Sequence, residues 1–144
     1  MILWLARETV EAIHEQQLIA HGGRPGFNGD EGKLLAILAS PRNIEAYRDS
    51  YDLADLAGCY AHRIATGHPF LEGNKRTSWV VTRTFCRLNG HDVSTERTER
   101  LDTWEQLGDG KISEATVSAW IRARLFYLGG CPNVAHARPP LVLP

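Results

Sequence analysis

Apolar residues recur along this chain at intervals of three and four, the spacing of one face of an α-helix. In residues 7–23 this pattern stops at Gly22-Gly23, which is a typical C-terminal helix signal. Ala6 stands where a capping Ser or Thr would be favourable, so the start of this first helix is weakly marked.

The same periodicity predicts two more helices before the middle of the chain. A short helix begins near Asp30 and ends at Pro41, because proline interrupts the helical hydrogen bonds, and residues 42–47 form one or two further turns. The next helix runs from Asp52, and Gly67 is placed as the glycine that follows its end.

Residues 76–89 are apolar over more than half of the helical circumference, which is typical of a helix buried inside a bundle. Ser94 and Ser113 can each cap a later helix. Extended structure is predicted only at residues 91–93 and around Phe27.

The predicted fold class is therefore all-α, a compact single-domain helical bundle around a buried central helix at residues 76–89. Residues 1–127 form the domain, and residues 128–144 form a C-terminal tail. A length of 144 residues suits one domain, and 43% hydrophobic with 23% charged residues is an ordinary globular composition.

Charge and cysteine content narrow the function. Lys+Arg 16 against Asp+Glu 17 gives a net charge of −1, so no global positive field recruits nucleic acid or an anionic membrane, and neither is an expected partner. Cys59, Cys86 and Cys131 are an odd number at wide spacing, which predicts neither a disulfide framework nor a zinc site but a reducing compartment. The apolar N-terminus meets charge at Arg7, too soon for a secretory signal. We expect a cytoplasmic protein.

The most polar stretch, HPFLEGNKRT at residues 68–77, joins two buried helices. Helix N-termini bind anions through unpaired N–H groups and the positive end of the helix dipole. Gly73 allows an anion to approach the backbone, and Asn74 can bridge backbone or ligand through its amide. Lys75 and Arg76 add positive charge where the dipole already disfavours it. These four residues predict a phosphate site.

The loop before this phosphate site supplies two further groups. A neutral imidazole at His68 can accept a proton from an attacking hydroxyl, and a carboxylate at Glu72 beside phosphate suits magnesium. Phe70 is predicted to anchor the loop in the core. Taken alone, His68 would more often be a cap or surface residue, and Glu72 a solvated charge. Together they predict a site for phosphoryl transfer.

The order of residues in HPFLEGNKRT resembles the motif of the Fic/Doc superfamily. Lys75 stands where Fic enzymes carry glycine, so the stretch is similar to the Doc (death-on-curing) toxin branch. The similarity extends from about Trp4 to Leu125 and includes the segments IHEQQLIAHGGRPGF and DEGKLLAILASP.

The resemblance implies a role for each residue of the motif. His68 would be the general base that activates a hydroxyl on a target protein, and Glu72 would bind Mg²⁺. The phosphates of ATP, the co-substrate, would be held by four consecutive residues, Gly73, Asn74, Lys75 and Arg76. Doc toxins transfer the γ-phosphate of ATP to elongation factor Tu, which stops translation, and a separate antitoxin restrains them.

Departures from the family pattern leave two alternatives open. GGRPGFNGD resembles the flap that positions the target, but it is one residue longer and lacks the usual arginine, and Glu72 replaces the more usual Asp. Trp79, predicted to be core, occupies the place of the second arginine of Fic adenylyltransferases. The alternatives are an adenylyltransferase on the same site and an inactive module that binds an antitoxin or another partner.

The remaining histidines and the tyrosines are assigned ordinary roles. His14 lies on a predicted helix without a partner at metal-binding spacing, so no function is predicted for it. Tyr47, Tyr51 and Tyr60 are predicted to be packing aromatics.

Overall fold

The structure, a computed structural model, describes residues 1–129 and the backbone of residues 142–143. In this part of the chain six α-helices follow one another: α1 (Arg7–His21), α2 (Gly32–Tyr47), α3 (Leu53–Gly67), α4 (Asn74–Leu88), α5 (Arg97–Gly108) and α6 (Glu114–Arg124). The strands are short: β1 (Tyr51–Asp52), β2 (His91–Val93), β3 (Leu125–Tyr127) and β4 (Val142–Leu143). The predicted all-α fold class is confirmed.

The strands form two small antiparallel pairs at the edges of the bundle. β2 pairs with β3, with His91 opposite Tyr127, and β1 pairs with β4, with Tyr51 opposite Leu143. An isolated bridge joins Phe27 to Phe70. The extended segments predicted at residues 91–93 and around Phe27 are therefore present, each with a partner distant in sequence.

Helix α3 lies in the interior and contacts α2, α4, α5 and α6. Its start is well defined, because Asp52 and Asp55 form a reciprocal capping box. Small residues allow neighbouring helices to approach closely, most clearly at Gly58, which lies against Ser118 of α6. Helix α4 buries only one side, whereas α3 is buried over more of its length. The helix at the centre of the bundle is therefore α3, and not the helix predicted at residues 76–89.

Ser78 of α4 links three helices through its hydroxyl. Its Oγ donates a hydrogen bond of 2.7 Å to the Ala61 carbonyl of α3 and accepts one of 3.0 Å from the indole Nε1 of Trp104 in α5. All of these groups are buried, so each hydrogen bond satisfies a polar atom that water does not reach. This linkage sets α5 beside the N-terminal half of α4.

The predicted end of the second helix at Pro41 is wrong. Helix α2 continues through Pro41 to Tyr47. Pro41 is buried and follows Leu34 and Ile37 on the core-facing stripe of the helix. Burial of the ring among apolar residues compensates for the backbone hydrogen bond that proline cannot make.

The two serine caps differ in outcome. Ser113 caps α6 by accepting a hydrogen bond from the Thr116 N–H at 3.1 Å, as predicted. Ser94 does not cap α5, whose N-cap residue is Glu96. The Ser94 N–H instead donates to the Arg124 carbonyl at 2.9 Å, which extends the β2–β3 pairing by one bond.

The three tyrosines that were predicted to pack in the core differ in burial. Tyr51 and Tyr60 are buried, which confirms their packing role, whereas Tyr47 is 84% exposed and the prediction of a packing role for it is wrong. Tyr47 is the last residue of α2, where the helix has left the core face.

The described cysteines behave as buried hydrophobic residues. Cys59 and Cys86 are free thiols, and burial raises the pKa of each to about 12, so neither is a thiolate at neutral pH. Cys131 and most of the predicted tail at residues 128–144 lie outside the described residues. Among residues that the structure describes, no helix combines the length and the apolar character needed to cross a membrane.

We expect Gly58→Ala to destabilise the protein by about 1–3 kcal/mol, because the new Cβ would lie 2.9 Å from Ser118 Cβ and 3.0 Å from Ser118 Cα and would push α3 and α6 apart. Gly67→Ala is the matched control in the same helix. Its Cβ would meet only the flexible end of Ile37 at 3.1 Å, and alanine favours the helix. Denaturant unfolding measures both variants, and equal stabilities would contradict the close contact.

Candidate active site

His68 ends α3 in the left-handed conformation, with φ of 49°. The sequence placed Gly67 after the helix, but Gly67 is the last helical residue and the left-handed position falls on His68. For a residue other than glycine this conformation costs about 1–2 kcal/mol, and such strain occurs most often at functional sites.

The hydrogen bond of His68 determines which ring nitrogen is free. Nδ1 lies 2.9 Å from the Thr66 carbonyl oxygen, which can only accept, so Nδ1 carries the proton. In the neutral ring Nε2 then has an unshared electron pair. The side chain is exposed. A hydroxyl presented to Nε2 can therefore lose its proton to this histidine.

Phe70 anchors the motif loop, residues 68–73, in the core, as predicted. The ring is 2% exposed and stacks between His14 and Phe27, with centroid distances of 3.7 and 5.9 Å. The Asn74 side chain bonds both polar groups of the Phe70 backbone: Oδ1 accepts from the N–H at 3.0 Å, and Nδ2 donates to the carbonyl at 2.9 Å. Both polar atoms of the Asn74 side chain are therefore bonded to the loop backbone. Only the main-chain N–H of Asn74 remains for a ligand.

The flap loop, residues 22–30, runs beside the motif loop. The Asn28 N–H donates to the Pro69 carbonyl at 3.0 Å, and the Leu71 N–H donates to the Gly26 carbonyl at 3.0 Å. The Asn28 side chain also donates to the His68 carbonyl at 3.0 Å. The two loops therefore form one paired unit around His68.

The backbone and the side chain of Glu72 contact different parts of the protein. The carbonyl accepts a hydrogen bond from His14 Nε2 at 2.8 Å. Carboxylate oxygen Oε2 accepts from the Arg24 N–H of the flap loop and lies 3.4 Å from Arg24 Nε. Oxygen Oε1 takes no part in these contacts, and the side chain is 43% exposed.

The carboxylate of Glu72 fits a magnesium ion whose other ligands are mainly phosphate oxygens. Magnesium commonly takes one or two protein carboxylates and completes its shell with phosphate oxygens and water. Glu72 Oε1 has the chemistry of such a ligand and takes no part in the Arg24 contacts. In the described residues no group of three or more His, Cys, Asp or Glu side chains could hold a metal by itself, so an ion here would depend on the nucleotide.

A cleft of about 560 Å³ opens at the N-terminus of α4, with walls from α1, α4 and α5. Its cationic side chains are Lys75, Arg76, Arg97 and Arg100. The pKa of Arg100 is lowered by burial and by the neighbouring positive charges of Arg97 and Arg83. Positive groups that repel one another beside a helix N-terminus favour an anionic ligand.

One wall of the cleft is aromatic. Trp79 meets Trp104 edge to face at 5.0 Å, and the Arg100 guanidinium lies over Trp79 at 5.1 Å from the ring centroid. Trp79 was predicted to be core, but it is only partly buried and lines the cleft. A planar base or an apolar side chain can pack on this wall, because aromatic faces bind both.

Lys75 is directed toward α5. Its Nζ lies 2.8 Å from Glu105 Oε2, and its stem passes so close to Gly108 that a Cβ there would overlap it. Both charged side chains are largely exposed, so this ion pair is weak and can open when a competing anion binds.

The structure separates the predicted site residues into two groups. Gly73, Asn74, Lys75 and Arg76 line the cleft, whereas His68 and Glu72 lie on the motif loop outside the lining. The sequence missed the cleft residues of other helices, namely Gln17, His21, Arg97, Arg100, Leu101, Trp104 and Glu105. In α5 the spacing of Arg97, Arg100, Leu101 and Trp104 marks one helical face. Sequence periodicity could not show what that face opposes.

The two histidines at the loop should be opposite tautomers when both rings are neutral. His68 should carry its proton on Nδ1, because that atom faces the Thr66 carbonyl, and His14 on Nε2, because that atom faces the Glu72 carbonyl. Long-range ¹H–¹⁵N correlation spectra distinguish the two forms, with each histidine as the control for the other. An Nε2–H tautomer at His68 would rule out Nε2 as the proton acceptor.

Comparisons with known proteins show which family the chain belongs to. The family model of the Fic/DOC family matches residues 4–86. The chain is 30% identical over 118 residues to the protein kinase doc of Escherichia phage P1, covering 82% of this chain and 92% of that protein. It is 35% identical over 79 residues to the toxin Doc of Mycolicibacterium smegmatis, covering 54% of this chain and 60% of that protein. This chain belongs to the Fic/DOC family.

Proposed function

We propose that this chain is the toxin of a toxin–antitoxin module and transfers the γ-phosphate of ATP to a hydroxyl of a protein, namely elongation factor Tu. Arrest of translation and growth would follow. The observation that carries the proposal is the free Nε2 of the exposed His68, on a loop that leads directly into a cationic helix N-terminus. The similarity to the protein kinase doc of phage P1 supports a kinase in particular.

The chain's own groups have separate tasks in this proposal. His68 Nε2 takes the proton of the target hydroxyl as the oxygen attacks phosphorus. The unpaired N–H groups of the first turn of α4, at Asn74, Lys75 and Arg76, hold phosphate oxygens, and the Arg76 guanidinium adds charge. Arg97 and Arg100 extend this positive field along the cleft.

Glu72 is the residue that would hold magnesium, through Oε1. A bound magnesium ion would neutralise charge on the phosphates during transfer. Arg24 contacts the other carboxylate oxygen, so the flap loop orients the carboxylate without occupying both of its oxygens. The proposed ligand therefore has an orienting partner, as ligating carboxylates usually do.

Lys75 favours phosphoryl transfer over the alternative adenylyl transfer. A side chain at this position takes up space next to the helix N-terminus that glycine leaves open in Fic enzymes, and its ammonium is a mobile point charge. The weak pair with Glu105 leaves this charge available to a phosphate. The triphosphate is then expected to lie with its γ-phosphate toward His68.

A separate antitoxin protein is the proposed restraint. Self-inhibited Fic proteins carry a Ser/Thr-x-x-x-Glu-Gly/Asn motif, and residues 95–99 match its spacing, but Arg100 follows in place of Gly or Asn. The acid of this segment, Glu99, is paired with Arg124 of α6. This acid is therefore directed to α6. The inactive-module alternative predicts antitoxin binding without any transfer.

Wild-type protein incubated with elongation factor Tu, ATP and Mg²⁺ should add the mass of one phosphate to the target, as measured by intact-protein mass spectrometry. His68→Ala should lower the transfer rate by about 10²–10⁴-fold, the usual contribution of a general base. His62→Ala is the matched control, since His62 lies six residues earlier on α3 and contacts Glu114, not the motif loop.

An adenylyl mass on the target would overturn the kinase proposal in favour of the adenylyltransferase. Full transfer by His68→Ala would show that another group is the base. The absence of any transfer by wild type, together with tight antitoxin binding, would favour the inactive module.

Glu72→Gln should reduce transfer at least tenfold and raise the Mg²⁺ concentration needed for half-maximal rate, because even outer partners of metal ligands contribute about 10–100-fold. The amide keeps the size of Glu72 and can still accept from the Arg24 N–H. Glu15→Gln, an exposed position on α1, is the control. Equal magnesium titrations of Glu72→Gln and wild type would remove Glu72 from the metal site.

A further inference from the structure

His14 contacts the motif loop at two points from within α1. Its ring stacks face to face on Phe70, with centroids 3.7 Å apart and planes inclined by 7°. Its Nε2 donates to the Glu72 carbonyl at 2.8 Å. The side chain is buried, with 5% of the residue exposed. This buried histidine of α1 thus contacts the motif loop at Phe70 and at Glu72, the two neighbours of Leu71.

The hydrogen bond from His14 to the Glu72 carbonyl also fixes the orientation of the peptide group that joins Glu72 to Gly73. In a trans peptide the carbonyl of one residue and the N–H of the following residue point in opposite directions. Because the Glu72 carbonyl points to His14 in the interior, the Gly73 N–H points away from it. Gly73 lines the cleft, and within residues 1–129 no protein acceptor is paired with its N–H.

Glycine suits the backbone conformation at position 73. Its φ is 83°, in the left-handed region where glycine is favoured. The residue precedes the first turn of α4, so its N–H would stand beside the unpaired N–H groups of that turn.

We propose that His14 is a positioning residue for phosphate binding: by holding the Glu72 carbonyl inward, it turns the Gly73 N–H toward the cleft as an additional phosphate donor. This inference rests on the proposed function in taking a polyphosphate as the ligand. His14 itself does not touch the ligand and does not line the cleft.

The rival explanation is that His14 only fills space under Phe70. His91 provides the comparison, because it is also 5% exposed, packs on an aromatic ring (Tyr127, at 5.5 Å) and pairs with a backbone carbonyl (Asn89, at 3.1 Å). It lies in β2, away from the motif loop. A purely structural role predicts similar behaviour for variants of both histidines.

The test follows the Gly73 amide by ¹H–¹⁵N correlation spectroscopy during titration with inorganic tripolyphosphate. In wild type the Gly73 resonance should shift with saturation. His14→Phe keeps the stacked ring but loses the donor, so the shift should shrink and the affinity should fall by about tenfold, the usual effect of one hydrogen bond. His91→Phe should bind as wild type. His14→Gln, which keeps a donor without the ring, should retain the Gly73 shift.

A Gly73 amide that does not respond in wild type, or that responds equally in His14→Phe, would overturn the proposal. If His14→Phe does not fold, His14→Gln decides the question. Because this variant keeps a donor, loss of the Gly73 shift in folded His14→Gln would also overturn the proposal. Tripolyphosphate binding requires no target and no transfer, so the outcome is independent of the kinase assay. Phosphoryl transfer with an unresponsive Gly73 amide would remove the role of His14 and leave the proposed function in place.

Discussion

Phe70 is buried between the rings of His14 and Phe27, and the polar groups of its backbone are both bonded by Asn74. Burial of an aromatic ring of this size stabilises the loop by a few kcal/mol, and the paired amide satisfies a backbone that would otherwise be costly to bury. One apolar side chain therefore holds a loop whose flanking residues, His68 and Glu72, remain accessible. The strained backbone of His68 is tolerated because this anchor lies two residues away.

The cleft depends on a second constraint, the close packing of α3, α4 and α5. The Ser78 hydroxyl of α4 is hydrogen-bonded to both of the other helices. Trp104 then places the arginines of α5 opposite the first turn of α4. The result is a group of neighbouring positive charges, and burial, together with the charges of Arg97 and Arg83, lowers the pKa of Arg100. Such an arrangement is stable because the bundle fixes it, and an anion relieves the repulsion.

Glu72 illustrates how one methylene group changes the connections of a site. The Glu72 side chain is one methylene longer than that of an aspartate, and it reaches the Arg24 backbone of the flap loop with one oxygen while the other takes no part in this contact. The proposed metal ligand and the loop proposed to position the target are thereby connected. A change in flap conformation would therefore alter the orientation of the Glu72 carboxylate.

The sequence by itself determined the helical class, the place of the polar motif between two helices, the anchoring role of Phe70 and the cap at Ser113. These are local properties, set by periodicity, turn residues and the spacing of one motif. The tertiary structure decided the rest, because it depends on which distant surfaces meet. Pro41 remains in a helix because its ring is buried, and Ser94 pairs with a strand instead of capping. His14 has no sequence signal, since its partners are more than 50 residues away.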